Sequence, residues 1–165
     1  MNRKVLSSAR MVLAALVATA LTLVAGQSPA LAVLPSDYKI EVSRWYHGSG
    51  PAESNTIKIT IRNGWNEKVG DGEFRADPDA YGAPGDALGA CDDSADGFGV
   101  EIRMDIGSSG GLQQTDRVAS TRGHNSPYCT GWVTGNIAEN TPVAVKVCLV
   151  KGDLAYCTGV YNARA

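Results

Sequence analysis

The stretch that most restricts what this chain can fold into is Pro142 to Tyr161, PVAVKVCLVKGDLAYCTGVY. Two runs of β-branched and aromatic residues flank Lys151-Gly152-Asp153-Leu154, and glycine at the first of two central positions suits the primed turns whose twist matches that of paired strands. A hairpin on this turn has a fixed register. With Lys151 opposite Leu154 as a hydrogen-bonded pair, the count runs back through 150/155 and 149/156 to Cys148 opposite Cys157, at a non-hydrogen-bonded position. Cα atoms approach to about 4.5 Å at such positions, within reach of a disulfide. The sequence thus predicts a Cys148–Cys157 bridge, worth roughly 2.5 kcal/mol through restriction of the unfolded chain.

Residues 1–32 read as a secretory signal peptide: Arg3, Lys4 and Arg10 precede the apolar run Met11 to Gly26, and Ala30-Leu31-Ala32 is a small-residue cleavage site. The apolar run is short for a membrane span and no second one follows. Residues 33–165 are then a single secreted, extracellular domain of 133 residues, with 12 basic and 17 acidic residues and a net charge of −5. That sign argues against nucleic acid or an anionic membrane as partner. All four cysteines lie in this part, and an oxidising compartment turns an even number into disulfides. Pairing Cys148 with Cys157 leaves Cys91 with Cys129, a longer loop worth roughly 4 kcal/mol on the same reasoning.

Three segments alternate with the period of a half-buried strand: Tyr38, Ile40 and Val42; Ile57, Ile59 and Ile61 within Thr56 to Arg62; and Phe98, Val100, Ile102, Met104 and Ile106. Each has one dry and one wet face, as antiparallel sheets do. Lys68 to Ala76 and Arg117 to Thr121 are further candidates. With the hairpin these make about seven strands and no amphipathic helix, so the expected fold is all-β, a small antiparallel β-sandwich with two disulfides. Two connections are long. Residues 75–97 hold six aspartates and one arginine, and residues 120–136 hold His124, Tyr128, Cys129 and Trp132. A Cys91–Cys129 bridge would draw these loops together at one end of the sandwich, where a binding surface is expected.

Several patterns bear on chemistry. Asp92, Ser94, Asp96 and Gly97 match the first half of an oxygen-ligand calcium loop, but Arg103 stands where a closing Glu belongs. The bland alternative is a solvated acidic turn. Gly107-Ser108-Ser109-Gly110-Gly111 fits the nucleophile-elbow letters without the strand-turn-helix context that elbow needs. His47 and His124 are the only histidines; a hydrolase built on His124 would draw on Ser120 or Ser126. Trp45, Trp65 and Trp132 fall off the core phase and suit either a sugar-stacking platform or anchors for a protein partner. Val33-Leu34-Pro35-Ser36-Asp37 is a short apolar, proline-containing lead-in that would either fray or add as a strand to a partner.

The stretch Arg117 to Cys157, RVASTRGHNSPYCTGWVTGNI followed by PVAVKVCLVKGDLAYC, resembles uncharacterised small secreted β-proteins of filamentous soil bacteria. In size, leader and all-β character the chain is also similar to the adaptor subunit of umbrella-shaped secreted toxin particles, in which an adaptor links a stalk-bearing toxin subunit to a lectin-like one. That likeness implies a non-enzymatic scaffold and carries over no functional residue. The sequence-based expectation is a secreted protein-binding module, an adaptor or inhibitor without catalytic residues or a required cofactor, contacting another secreted protein through Trp45, Trp65, His124, Tyr128 and Trp132. The alternatives are a carbohydrate or cell-wall binding module, with calcium on Asp92, Ser94 and Asp96, and a small secreted hydrolase.

Overall fold

A computed structural model of the chain describes residues 31–46 and 55–165. His47 and residues 1–30 of the expected leader lie outside them. The described residues form eleven strands and no helix: β1 (Leu31–Val33), β2 (Lys39–Tyr46), β3 (Asn55–Arg62), β4 (Lys68–Arg75), β5 (Ala87–Asp92), β6 (Gly99–Ile106), β7 (Arg117–Ser120), β8 (Tyr128–Cys129), β9 (Pro142–Lys151), β10 (Leu154–Cys157) and β11 (Tyr161–Arg164). The expected count of about seven strands is too low. The all-β class holds.

The strands make two sheets. One runs β1-β10-β9-β6-β7, with β11 also paired to β9; the other runs β2-β3-β4-β5-β8. The C-terminal hairpin has the register read from its turn, with Leu154 opposite Lys151 and Cys157 opposite Cys148. Gly152 takes the left-handed φ of +53° that makes glycine the natural residue there. Both predicted bridges are present, Cys148–Cys157 and Cys91–Cys129, each with a Cα separation of 4.0 Å. Cys91 and Cys129 sit opposite one another on the adjacent strands β5 and β8. This bridge staples two strands of one sheet, not two loops at an end as expected.

Between the sheets lies the core. Ile57, Ile59, Ile61, Phe74 and Leu88 from one sheet meet Val100, Ile102, Met104, Val143, Val145 and Val147 from the other, all fully buried. At the centre the sheets come closer than two side chains allow. A Cβ on Gly72 of β4 would fall 2.6 Å from Val147 Cγ2 and 2.8 Å from Ile102 Cβ. The missing side chain at Gly72 is therefore what lets β4 pack against the facing sheet.

The edge strand β2 departs from its pattern. Ile40 and Val42 pair with Ile61 and Ile59 and point to the core side, yet they remain 39% and 36% exposed. The opposite sheet does not extend far enough to cover them, so the dry face expected there is half wet. On the other sheet's outer surface Lys146 is only 8% exposed. Burial, then the Arg103 guanidinium, push its amine below the ordinary lysine value, and no carboxylate pairs with it among the described residues. A charged lysine in this position disfavours the fold at neutral pH, so Lys146→Met is expected to raise the melting temperature. A drop on thermal unfolding would show that the amine has a use.

Candidate functional site

On the outer face of the five-stranded sheet, alternation turns Lys58 of β3 and Asp71, Glu73 and Arg75 of β4 away from the core. These side chains pair with one another. Lys58 Nζ lies 3.2 Å from Asp71 Oδ1 and 3.8 Å from Glu73 Oε2. Lys68 Nζ lies 2.5 Å from Asp71 Oδ2 and 2.8 Å from Asp93 Oδ2. Burial lowers the Lys68 amine, but hydrogen bonds to Asp71 and Asp93 outweigh it and hold the pKa above the ordinary value. Arg75 Nε donates to Glu73 Oε1 at 2.7 Å and its Nη1 donates to Asp79.

Aromatic rings stand around this ionic floor. Trp45, on the outer phase of β2, and Tyr81, 97% exposed at the tip of the 79–83 turn, wall a hollow of about 450 Å³ over Lys58, Glu73 and Arg75. Beyond Glu73 a second hollow, of about 270 Å³, runs to Trp132 and the Cys91–Cys129 bridge. The Arg75 guanidinium lies 5.2 Å from the Trp132 ring centre, within cation–π range. Gly89 explains how the ring fits. A Cβ there would come 2.9 Å from Trp132 Cζ3, so the bare backbone of β5 is the seat of the indole.

The strap that carries Trp132 is fixed at both ends. Cys129 is bridged to Cys91, Thr130 N donates to Ala90 O at 2.9 Å, and Val133 and Leu88 exchange both backbone hydrogen bonds at 2.8 and 2.9 Å. Gly131 and Trp132 arch between these anchors. Tyr81 is held likewise, because Asp79 Oδ1 accepts from the Tyr81 and Ala83 amides, each at 2.9 Å. The Ala83 amide foremost, then Arg75 and the Tyr81 amide, keep the Asp79 carboxyl below the ordinary carboxylate value. A depressed folded pKa gives stability that is present above the unfolded value and lost as pH falls through the folded one. The turn is therefore expected to persist below the pH at which a free aspartate protonates, which a side-chain carboxyl NMR titration of Asp79 checks; a midpoint at or above the free value would contradict it.

The other sequence-derived candidates scatter. Trp65 is 85% exposed in the β3-β4 turn, at the opposite end of β3 from Trp45, so the three tryptophans form no single platform. The His124 and Tyr128 rings stack with centres 3.9 Å apart. His124 borders a separate hollow, of about 490 Å³, with Phe98, Arg122 and Lys151. Ser126 Oγ donates to Asp92 and Ser120 Oγ accepts from Arg122 N at 3.2 Å; neither hydroxyl is bonded to the His124 ring among the described residues.

Asp92, Ser94 and Asp96 are not gathered as ligands. Asp92 is buried and accepts from Ser94 N at 3.2 Å as well as from Ser126, while Asp96 accepts from Phe98 N at 2.9 Å. No group of three or more His, Cys, Asp or Glu that could hold a metal ion occurs among the described residues. The acidic stretch as a whole departs from expectation, since β5 runs through it. Of its six aspartates, 79, 86, 92, 93 and 96 each bind a backbone amide, a hydroxyl or a cation. Sequence reasoning missed Arg75 and Tyr81; the one signal for Tyr81 was an aromatic stranded in a turn of Asp, Gly and Pro. No protein family, curated protein or solved structure matches the chain, so the site rests on these residues and their geometry.

Proposed function

We propose that this protein is a non-enzymatic, extracellular protein-binding module, an adaptor or inhibitor, and that it meets its partner with the outer face of the five-stranded sheet. In this reading residues 1–32 are an export leader that is removed, and the likeness to toxin-particle adaptors describes the kind of role such a module fills. The observation that carries the proposal is the pairing within the face. Trp45, Tyr81, Trp132 and Arg75 are residue types that dominate binding energy at protein interfaces. The carboxylates between them are already matched by Lys58, Lys68 and Arg75. A partner that excludes water from this face strands no lone charge, which is the usual cost of burying one.

A sugar platform would want the opposite arrangement, with polar groups free to meet hydroxyls. The experiment is capture of the tagged, exported protein's partner from culture medium, followed by affinity measurement on that pair. Tyr81→Ala and Trp132→Ala are each expected to weaken binding about 30-fold, equivalent to about 2 kcal/mol. Unchanged affinity in both variants would move the contact elsewhere. Retention on cell-wall polysaccharide that both substitutions abolish would replace the protein partner with a glycan.

A further inference from the structure

The six-stranded sheet ends on one side at β1, whose pairing with β10 is the only parallel one among the described residues. Its register sets Leu31 opposite Ala155, Ala32 opposite Tyr156 and Val33 opposite Cys157. In the hairpin, 150/155 and 148/157 are the non-hydrogen-bonded pairs with β9, so the backbone N–H and C=O of Ala155 and Cys157 point outward, toward β1. A parallel neighbour opposite Tyr156 lies between those two residues and is the one whose own N–H and C=O can meet both. That residue is Ala32.

The expected leader cleavage falls immediately after Ala32. It would take away Leu31 and Ala32 and leave Val33, whose side chain is 84% exposed and adds little packing. What remains is a preorganised edge. The Cys148–Cys157 bridge and the turn at Gly152 hold β10 on β9 whether or not β1 is there. Leu34 packs against the main core, which keeps the residues after Val33 in place and the slot before it open. Open strand edges pair with extended chains.

We propose that removal of the leader uncovers the outer edge of β10 as an acceptor for an extended segment of a partner polypeptide, which adds parallel to β10 with a small residue opposite Tyr156. The chain's own leader residues show the chemistry that fits: Leu31 and Ala32 are apolar, the central one is small, and both are extended. The inference rests on the export reading above and gives the module a second contact, on the sheet opposite the aromatic face.

The test uses the exported protein from culture medium, with its intact mass and the amide exchange of Cys157 measured without and with a synthetic peptide of residues Gln27–Ala32. A mass beginning at Val33, rapid exchange at the Cys157 amide, and protection there of roughly ten-fold or more on adding peptide are expected, with no protection from the same peptide carrying Ala32→Pro, which lacks the donor to the Ala155 carbonyl. Rapid exchange that peptide leaves unchanged overturns the acceptor edge and leaves export standing. A mass that retains residues before Val33 overturns the unmasking and leaves export standing, whereas absence of the protein from the medium overturns both. Slow exchange before any peptide is added also overturns the unmasking, and elution as a dimer would then assign the edge to a second copy.

Discussion

Gly72→Ala is expected to lower the unfolding free energy by about 2 to 3 kcal/mol. The new methyl would stand 2.6 Å from Val147 Cγ2 and 2.8 Å from Ile102 Cβ. Both neighbours are β-branched and fully buried on the central strands of the facing sheet, so neither can rotate aside without entering another core side chain. The sheets must part instead. Where there is room, the same change usually stabilises by roughly 0.4 to 1 kcal/mol through the unfolded chain, so the sign of the effect reports the packing. Gly159, with open space around its Cβ position, supplies the control. Denaturant midpoints for the two variants decide the matter: equal values would mean that the sheets do not meet at Gly72.

Replacing Cys91 and Cys129 together by serine is expected to cost about 4 kcal/mol, and replacing Cys148 and Cys157 about 2.5 kcal/mol, because the first bridge closes the longer loop. The separations are 38 and 9 residues. The two losses should differ in place as well as size. The strap from Cys129 to Val133 depends on the first bridge for one of its anchors, so without it the Trp132 ring is expected to leave Gly89 and Arg75. The indole Nε1–H resonance of Trp132 should then shift toward its solvent-exposed position, while removal of the hairpin bridge leaves it alone. Equal losses, or an indole signal indifferent to both, would disprove the link between bridge and ring.

The parts of this fold that were legible in the sequence are those governed by local arithmetic. A two-residue turn fixes hairpin register, which led to one bridge and by remainder to the other. Alternating isoleucines marked β3, and the run from Phe98 marked β6. β5 and β11 escaped because they carry little that looks like a strand. Ala87-Leu88-Gly89-Ala90-Cys91-Asp92 is built of small residues, and the reason lies across the sheet: Gly89 makes room for an indole arriving from more than forty residues later. Tyr161-Asn162-Ala163-Arg164 turns only Ala163 fully inward. Such choices answer to tertiary neighbours, which no window of sequence contains.

The site was legible to a similar degree. Trp45 and Trp132 stood out as aromatics off the core phase and do share one face, whereas Trp65 obeyed the same criterion at the far turn. Period alone says which side of a strand a residue takes, not which end of the sheet it reaches.

The aspartates between Arg75 and Gly97 limit how this protein can vary. A stretch so acidic looks like a place where charge is adjusted freely, by drift or by an engineer seeking a different isoelectric point. Five of its six carboxylates fasten a turn, a strap or a strand end, and Asp77 alone has no such partner among the described residues. Asn would keep an acceptor at each of these five positions but lose the ion pair at Asp79 and Asp93; Lys would lose both. The surface charge of this molecule is therefore largely not negotiable where it is most concentrated, and sequences that keep the fold should differ at Asp77 before they differ at its neighbours.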